Sequence, residues 1–265
     1  MLIFAKLIKN ISISIMKKII LFILTVTFLV SCKNDPQKLV KIEAKLLPIT
    51  DSLQSKQEIE DFIQPYKEKV ESEMNKVLSY TPIDLLRTDG ALESSLGNLM
   101  ADLCFERANP VFNSRTGKNI DFAMFNYGGI RAGISKGNIT TEHAFNLMPF
   151  ENSLVVVELS AAKIIELVDY LIEHNRAHPL SKHINLSITK NEYDLKINNE
   201  PLDKTKTYFV LTSDYLQNGG DLMNFFKDPI SLHKTDYKVR NAIIDYFAET
   251  DTIKVKLDNR FVKIK

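Results

Sequence analysis

Apolar residues recur along this chain at two periods, and those periods predict most of its elements. Ile59, Ile63, Tyr66, Val70, Met74 and Val77 are spaced three or four apart, forming one stripe on a linker-type helix over residues 55–79 flanked by Glu and Lys. Pro65 falls inside this stretch, so the helix either kinks there or begins just before it. A second helix is predicted over 93–108, with Leu96, Leu99, Leu103 and Cys104 facing inward. A third runs from Ser160 to about Asn175 on Ile164, Leu167, Val168 and Leu171, and a fourth from Asp236 to Glu249. Strands are expected at 119–126, at the β-branched run Ser153–Leu159, at 207–212 and at 253–265. Residues 193–202 read as a hairpin turning at Asn198-Asn199. Helices and strands interleave with no repeat and no second boundary. The expected class is therefore α+β, one compact layered domain of mixed sheet and helices over 80–265.

Composition adds little to this picture. With 45% hydrophobic and 25% charged residues and a net charge of +1, the chain is ordinary for a globular protein. Nothing global points to a nucleic-acid partner.

The first 32 residues depart from the rest. Lys17 and Lys18 precede an apolar run from Ile19 to Val30, the layout of a secretion signal. Leu29-Val30-Ser31-Cys32 resembles the lipobox of bacterial lipoproteins, which implies lipidation of Cys32 and a mature protein anchored in the cell envelope. The other reading of this stretch is a membrane-spanning helix with a chance cysteine. Met16 reads as the start of the signal, with residues 1–15 as an upstream extension and 33–54 as a tether and edge segment. The only other cysteine, Cys104, sits among apolar helical positions and reads as a small core residue.

Three loops carry candidate chemistry. Asn126-Tyr127-Gly128-Gly129-Ile130-Arg131 follows a predicted strand; its glycines allow close backbone approach, its Asn suits a heterocycle edge and its Arg suits oxygen anions. Read blandly, it is a turn with a surface arginine. Pro149-Phe150-Glu151-Asn152 offers an aromatic wall or simply a core Phe. Tyr215-Leu216-Gln217-Asn218-Gly219-Gly220-Asp221 offers a second aromatic and an acceptor for a vicinal diol, or a glycine turn closed by Asp. Together the loops make one nucleoside pocket plausible.

These loops, with Glu93-Ser94-Ser95-Leu96-Gly97-Asn98-Leu99 and Gly137-Asn138-Ile139-Thr140, resemble in order and interval the C-terminal domain of 5'-nucleotidases and UDP-sugar hydrolases, over roughly residues 81–251. The resemblance implies that Phe150 and Tyr215 sandwich a base and that Asn126 bonds it. It also implies that Asp221 holds the ribose hydroxyls, Arg131 contacts the ribose or phosphate end, and Asn152 lines the pocket. One position departs: family members commonly carry an arginine three residues before Glu93, where this chain has Gly90, and Arg87 is out of register.

The same family hydrolyses phosphate esters with two metals held in a separate N-terminal domain. None of the five histidines here stands in such a ligand context, and His174, His178 and His183 read as a solvated loop rather than a metal tract. No catalytic residue and no metal or cofactor is therefore assigned to this chain, and divalent metals are expected only in a partner. The expected function is a nucleotide- or nucleoside-binding subunit served by a separate metallophosphatase lipoprotein. The alternative is a non-catalytic nucleotide-binding envelope lipoprotein.

Overall fold

The structure is a computed structural model and describes residues 15–24, 39–50, 53–190 and 192–264. The chain divides into two units, Met1–Ser55 and Lys56–Lys265. In the first, residues 15–24 form helix α1 and 39–50 are irregular and exposed. The lipobox lies outside the described residues. No helix among the described residues is long and apolar enough to cross a membrane.

The second unit opens with α2 (Gln57–Met74), whose stripe residues Ile59, Ile63, Tyr66 and Val70 are all exposed. The sequence extends this helix to residue 79, but it stops at Met74. Val77–Thr81 instead forms β1, antiparallel to β3 (Gly137–Thr140). The β-branched and aromatic residues there serve a strand better than a further helical turn.

Helix α3 (Ser95–Thr116) is capped by the Ser94 hydroxyl, which accepts from the Gly97 N–H. It continues past Ala108 and through Pro110, ending at Gly117 in the left-handed conformation (φ 71°). The central sheet runs β2 (Phe122–Ala123), β8 (Thr207–Ser213), β4 (Ser153–Ser160), β9 (Ser231–Lys238). In it β2 is parallel to β8, and β4 is antiparallel to both of its neighbours. Strand β4 is buried at Leu154 through Val157, as its unbroken apolar run requires. Helices α3, α5 (Ala161–His174) and α7 (Val239–Glu249) pack around this sheet.

A second sheet, in the order β10 (Phe261–Lys263), β5 (Ile184–Ile188), β6 (Tyr193–Ile197), β7 (Glu200–Pro201), holds the expected hairpin. Asn198 and Asn199 take φ of 53° and 66°, the two left-handed positions of a tight hairpin turn. Three expectations shift here. Residues 236–238 belong to β9, so α7 starts at Val239; β10 keeps only three residues of the long strand expected; and β2 is two residues long. The short α4 (Thr141–Leu147), closed by a Thr140–His143 capping box, and α6 (Asp214–Gln217) complete the helices the site uses. The whole is α+β, with both sheets and the helices around one apolar core.

Candidate functional site

Strand β2 delivers the first loop. Beyond Ala123 the chain stays pinned, because Met124 N–H donates to Leu211 O (2.9 Å) and Phe125 N–H to Pro179 O (2.9 Å). Asn126 is then buried, and Tyr127–Gly129 makes a single turn of 3-10 helix. A side chain at Gly129 would place its Cβ 2.7 Å from Asn126 Oδ1, so glycine is what lets the amide fold back over the turn.

The second loop follows α4. Arg131 N–H donates to Leu147 O (3.0 Å), tying the first loop to the second. Beneath it lies buried Arg240, ion-paired with Glu151 and donating to Met148 O and Phe150 O (3.3 Å each). This guanidinium fixes the backbone that presents Phe150. The sequence reading passed over it, since it lies in a predicted helix far along the chain.

The third loop follows α6. Gly219, Asp221 and Leu222 all have positive φ (88°, 51° and 61°), and the Tyr215 ring lies against Gly220, where a Cβ would meet Cε1 at 2.4 Å. Asp221 is pinned from three directions. Its Oδ2 accepts from Asn126 Nδ2 (2.5 Å), its Oδ1 from the Tyr215 hydroxyl (3.0 Å), and its backbone oxygen from the Tyr170 hydroxyl (3.0 Å). Tyr170, on α5, is a second positioning residue that sequence reasoning missed.

The three loops enclose one cavity of about 280 Å³, and Asn126, Arg131, Phe150, Asn152, Tyr215 and Asp221 all line it. Of the residues singled out for function, only Cys32 is outside the described residues. The two aromatic rings stay open to an incoming ligand, at 41% exposure for Phe150 and 45% for Tyr215. The Arg131 guanidinium lies 5.9 Å from the centre of the Phe150 ring. The hydrogen bond to Asp221 raises the Tyr215 phenol above its ordinary range. Burial, followed by the Asp221 charge, pushes Tyr170 up to about 12. Both hydroxyls therefore remain donors at neutral pH.

The segment before α3 explains the departure at Gly90. A Cβ there would lie 2.3 Å from Glu93 O, so this backbone leaves no room for an arginine. Glu93 itself is structural. Its buried carboxylate accepts from Asn98 Nδ2 (2.9 Å), Asp258 N–H (3.3 Å) and Asn259 N–H (2.8 Å), fastening the C-terminal segment to the start of α3. Arg87 is absent from the cavity lining; it donates to Ile130 O (2.6 Å) and lies 4.7 Å from the Tyr127 ring centre.

The reading of His174, His178 and His183 as a solvated loop is corrected. His178 is 5% exposed, and its Nδ1 accepts from Tyr127 N–H (3.2 Å). Residues 177–181 are buried because they run beside β2, with Ser181 N–H donating to Ala123 O (3.0 Å). Burial drives the His178 ring down to about 4. His174 stacks on Tyr170 (3.9 Å) and His183 on Phe105 (3.7 Å).

A family model described as 5'-nucleotidase, C-terminal domain, matches residues 79–228. The trifunctional nucleotide phosphoesterase protein YfkN of Bacillus subtilis is 29% identical over 241 residues, covering 83% of this chain and 15% of that protein. Protein UshA of Escherichia coli is 34% identical over 114 residues, covering 40% of this chain and 20% of that one. The crystal structure of a 5'-nucleotidase precursor from Thermus thermophilus superposes with a TM-score of 0.64 at 24% identity, covering 77% of this chain and 43% of that one, a likeness of fold. The chain spans less than half the length of each of these relatives.

Proposed function

Because the chain belongs to the family of 5'-nucleotidase C-terminal domains, we propose that it is the nucleotide- or nucleoside-binding subunit of a 5'-nucleotidase-type phosphohydrolase, with the metal-bearing catalytic domain supplied in trans. One observation carries this reading. Six residues from three loops far apart in sequence converge on a single cavity, and their chemistries complement different parts of a nucleoside. Phe150 and Tyr215 supply π-faces for a base, and Asn126 and Asn152 supply amide donors and acceptors for its edge. A carboxylate offers about four lone-pair sites. Asn126 and Tyr215 occupy one each on Asp221, which leaves acceptors for two vicinal hydroxyls. Arg131 faces the ribose or phosphate end.

The residues described here do not fit a two-metal centre, so no hydrolytic step is assigned to them. No group of three His, Cys, Asp or Glu among the described residues could hold a metal ion. His143 caps α4, His174 and His183 are stacked on aromatic rings, His178 accepts from Tyr127 N–H, and His233 contacts Ser231. The contribution proposed for this chain is binding and orientation. Holding the nucleoside rigidly presents its phosphate to a partner, and such remote binding energy raises the rate of a distant step. Attachment through Cys32 to a bacterial envelope membrane would keep both partners on one surface.

The test is phosphate release from AMP with Mn²⁺. This chain alone gives none above background, and adding it to a separately encoded metallophosphatase lipoprotein of the same organism lowers KM. Turnover by the chain alone overturns the trans arrangement. AMP binding with no effect on any metallophosphatase leaves the alternative, a non-catalytic binding lipoprotein.

A further inference from the structure

One stretch of the chain has the pattern of a strand and no sheet to belong to. From Val40 to Leu46 apolar and charged residues alternate: Val40, Ile42, Ala44 and Leu46 in one set, Lys41, Glu43 and Lys45 in the other. On an extended chain the two sets fall on opposite faces. That is the period of a half-buried β-strand, over an ordinary strand length. Pro48 closes the run, and the residue before a proline is itself held extended.

In the structure this run is bare. Val40, Ile42 and Leu46 are 93%, 77% and 95% exposed, and among the described residues no backbone group of 39–49 makes a backbone hydrogen bond. Lys41 pairs with Glu43, two positions away in the charged set. A strand whose apolar face and whose N–H and C=O groups are all open is a template for pairing with another sheet. The chain's own sheets offer little to pair with. Their edge strands β2, β7 and β10 hold two or three residues each, and β9 is interrupted at Asp236 (φ 58°).

The chemistry of the run selects among the possible occupants. A lipid surface does not suit it, because an extended backbone in hydrocarbon leaves its N–H and C=O groups unmet. The next helix, α2, carries six acidic residues against Lys67 and Lys69, and an anionic headgroup layer repels that charge. The same run from a second copy supplies one more strand only, and a two-stranded ribbon is marginal in water. An open edge of a sheet that is already folded supplies both the hydrogen-bond ladder and an apolar surface under Val40, Ile42 and Leu46.

We propose that residues 40–46 are a docking strand, which adds to an open sheet edge of the metallophosphatase partner. Val40, Ile42, Ala44 and Leu46 then seat on that sheet's apolar face, and Lys41, Glu43 and Lys45 stay in water. The identity of the partner rests on the function proposed above; the strand addition rests on the pattern and exposure of the run. None of the six cavity residues belongs to the run, so docking and nucleoside binding are separable by mutation.

The experiment is amide hydrogen exchange on the chain in a Cys32→Ala background, alone and with the separately encoded metallophosphatase lipoprotein of the same organism. A one-to-one complex is expected, in which alternate amides between 40 and 46 become protected, as one ladder requires. Ile42→Asp should weaken the complex about tenfold or more, the loss of one buried apolar side chain. Glu43→Gln, on the solvent face, should leave it unchanged. Neither substitution should alter adenosine affinity. A complex without protection in the run, a complex indifferent to Ile42→Asp, or no complex overturns the docking strand. Protection in the chain alone that grows with its concentration assigns the run to a second copy, and protection on vesicles of phosphatidylglycerol and phosphatidylethanolamine assigns it to the membrane; either overturns the proposal. Adenosine titration of the same samples separates this inference from the reading it rests on. A complex formed by a chain that binds no adenosine keeps the docking strand and sinks the nucleotide-binding subunit, and adenosine binding without a complex does the reverse.

Discussion

Asp221→Ala and Asp221→Asn together separate what this residue does for the fold from what it does for a ligand. Asp221 sits at φ 51°, where a residue with an ordinary side chain costs about 1–2 kcal/mol and Asn is tolerated. Alanine also strips the acceptor from Asn126 Nδ2, a donor in a residue only 9% exposed, at a further ~1–3 kcal/mol. Asp221→Ala should therefore lose about 2–5 kcal/mol in a urea melt. Asp221→Asn, which keeps an acceptor and the backbone, should lose less. For ligands, both variants give up a charged acceptor for the ribose hydroxyls. That is worth roughly 1.5–3 kcal/mol, or roughly 10- to 150-fold in Kd. Calorimetry suits the assay because the chain has no Trp to report binding. Adenosine should weaken by that factor, whereas 2',3'-dideoxyadenosine and free adenine, which lack the diol, should bind the variants and the wild type alike. Equal weakening of adenosine and dideoxyadenosine in Asp221→Asn would refute the assignment.

Three further outcomes follow from the geometry. Glu93→Ala leaves two backbone N–H groups without their acceptor and Asn98 Nδ2 with only Lys256 O, and should cost about 2–4 kcal/mol by thermal or urea denaturation, with an unchanged melt refuting the clamp. His178 is held near 4 when folded against an ordinary 6.5, so between those values only the unfolded chain binds the proton. Stability is then intact above pH 6.5 and falls by about 3 kcal/mol as pH drops through 4. His178→Gln should flatten that slope, and an identical pH profile would contradict the assignment. Cys104 is fully buried and burial pushes its thiol pKa upward, so in a Cys32→Ala background it should resist iodoacetamide when native and react when denatured; rapid native labelling would contradict its core placement.

What the sequence could reveal depended on whether local pattern or distant partners fixed an element. Helix α5 was legible because its apolar stripe and the Ser160 cap lie within one short segment, and the turn at Asn198-Asn199 because Asn tolerates positive φ. Strand β9, Ser-Leu-His-Lys-Thr-Asp-Tyr-Lys, was not legible: it lies at the edge of its sheet, buries only Thr235, and owes its conformation to β4. Residues 177–181 gave the same trouble, since their burial comes from lying beside β2 and no periodicity announces it. The six residues lining the cavity were legible individually as loop chemistry. Their complementary chemistry suggested one shared pocket, and the resemblance gave each residue its place in it, because no single-sequence pattern brings position 126 to position 221. Arg240 and Tyr170 stayed hidden because each acts through another residue's backbone oxygen.

The central claim is that two aromatic walls at Phe150 and Tyr215 hold a nucleoside base. It is tested most directly by titrating adenosine into the wild-type chain, Phe150→Ala and Tyr215→Ala. Removing one stacking wall costs on the order of 1–3 kcal/mol, so each variant should bind adenosine about tenfold or more weakly, with the wild type binding one to one. Two results would contradict the account: adenosine binding that ignores both substitutions, or no binding by the wild type at millimolar concentration with and without a metallophosphatase partner.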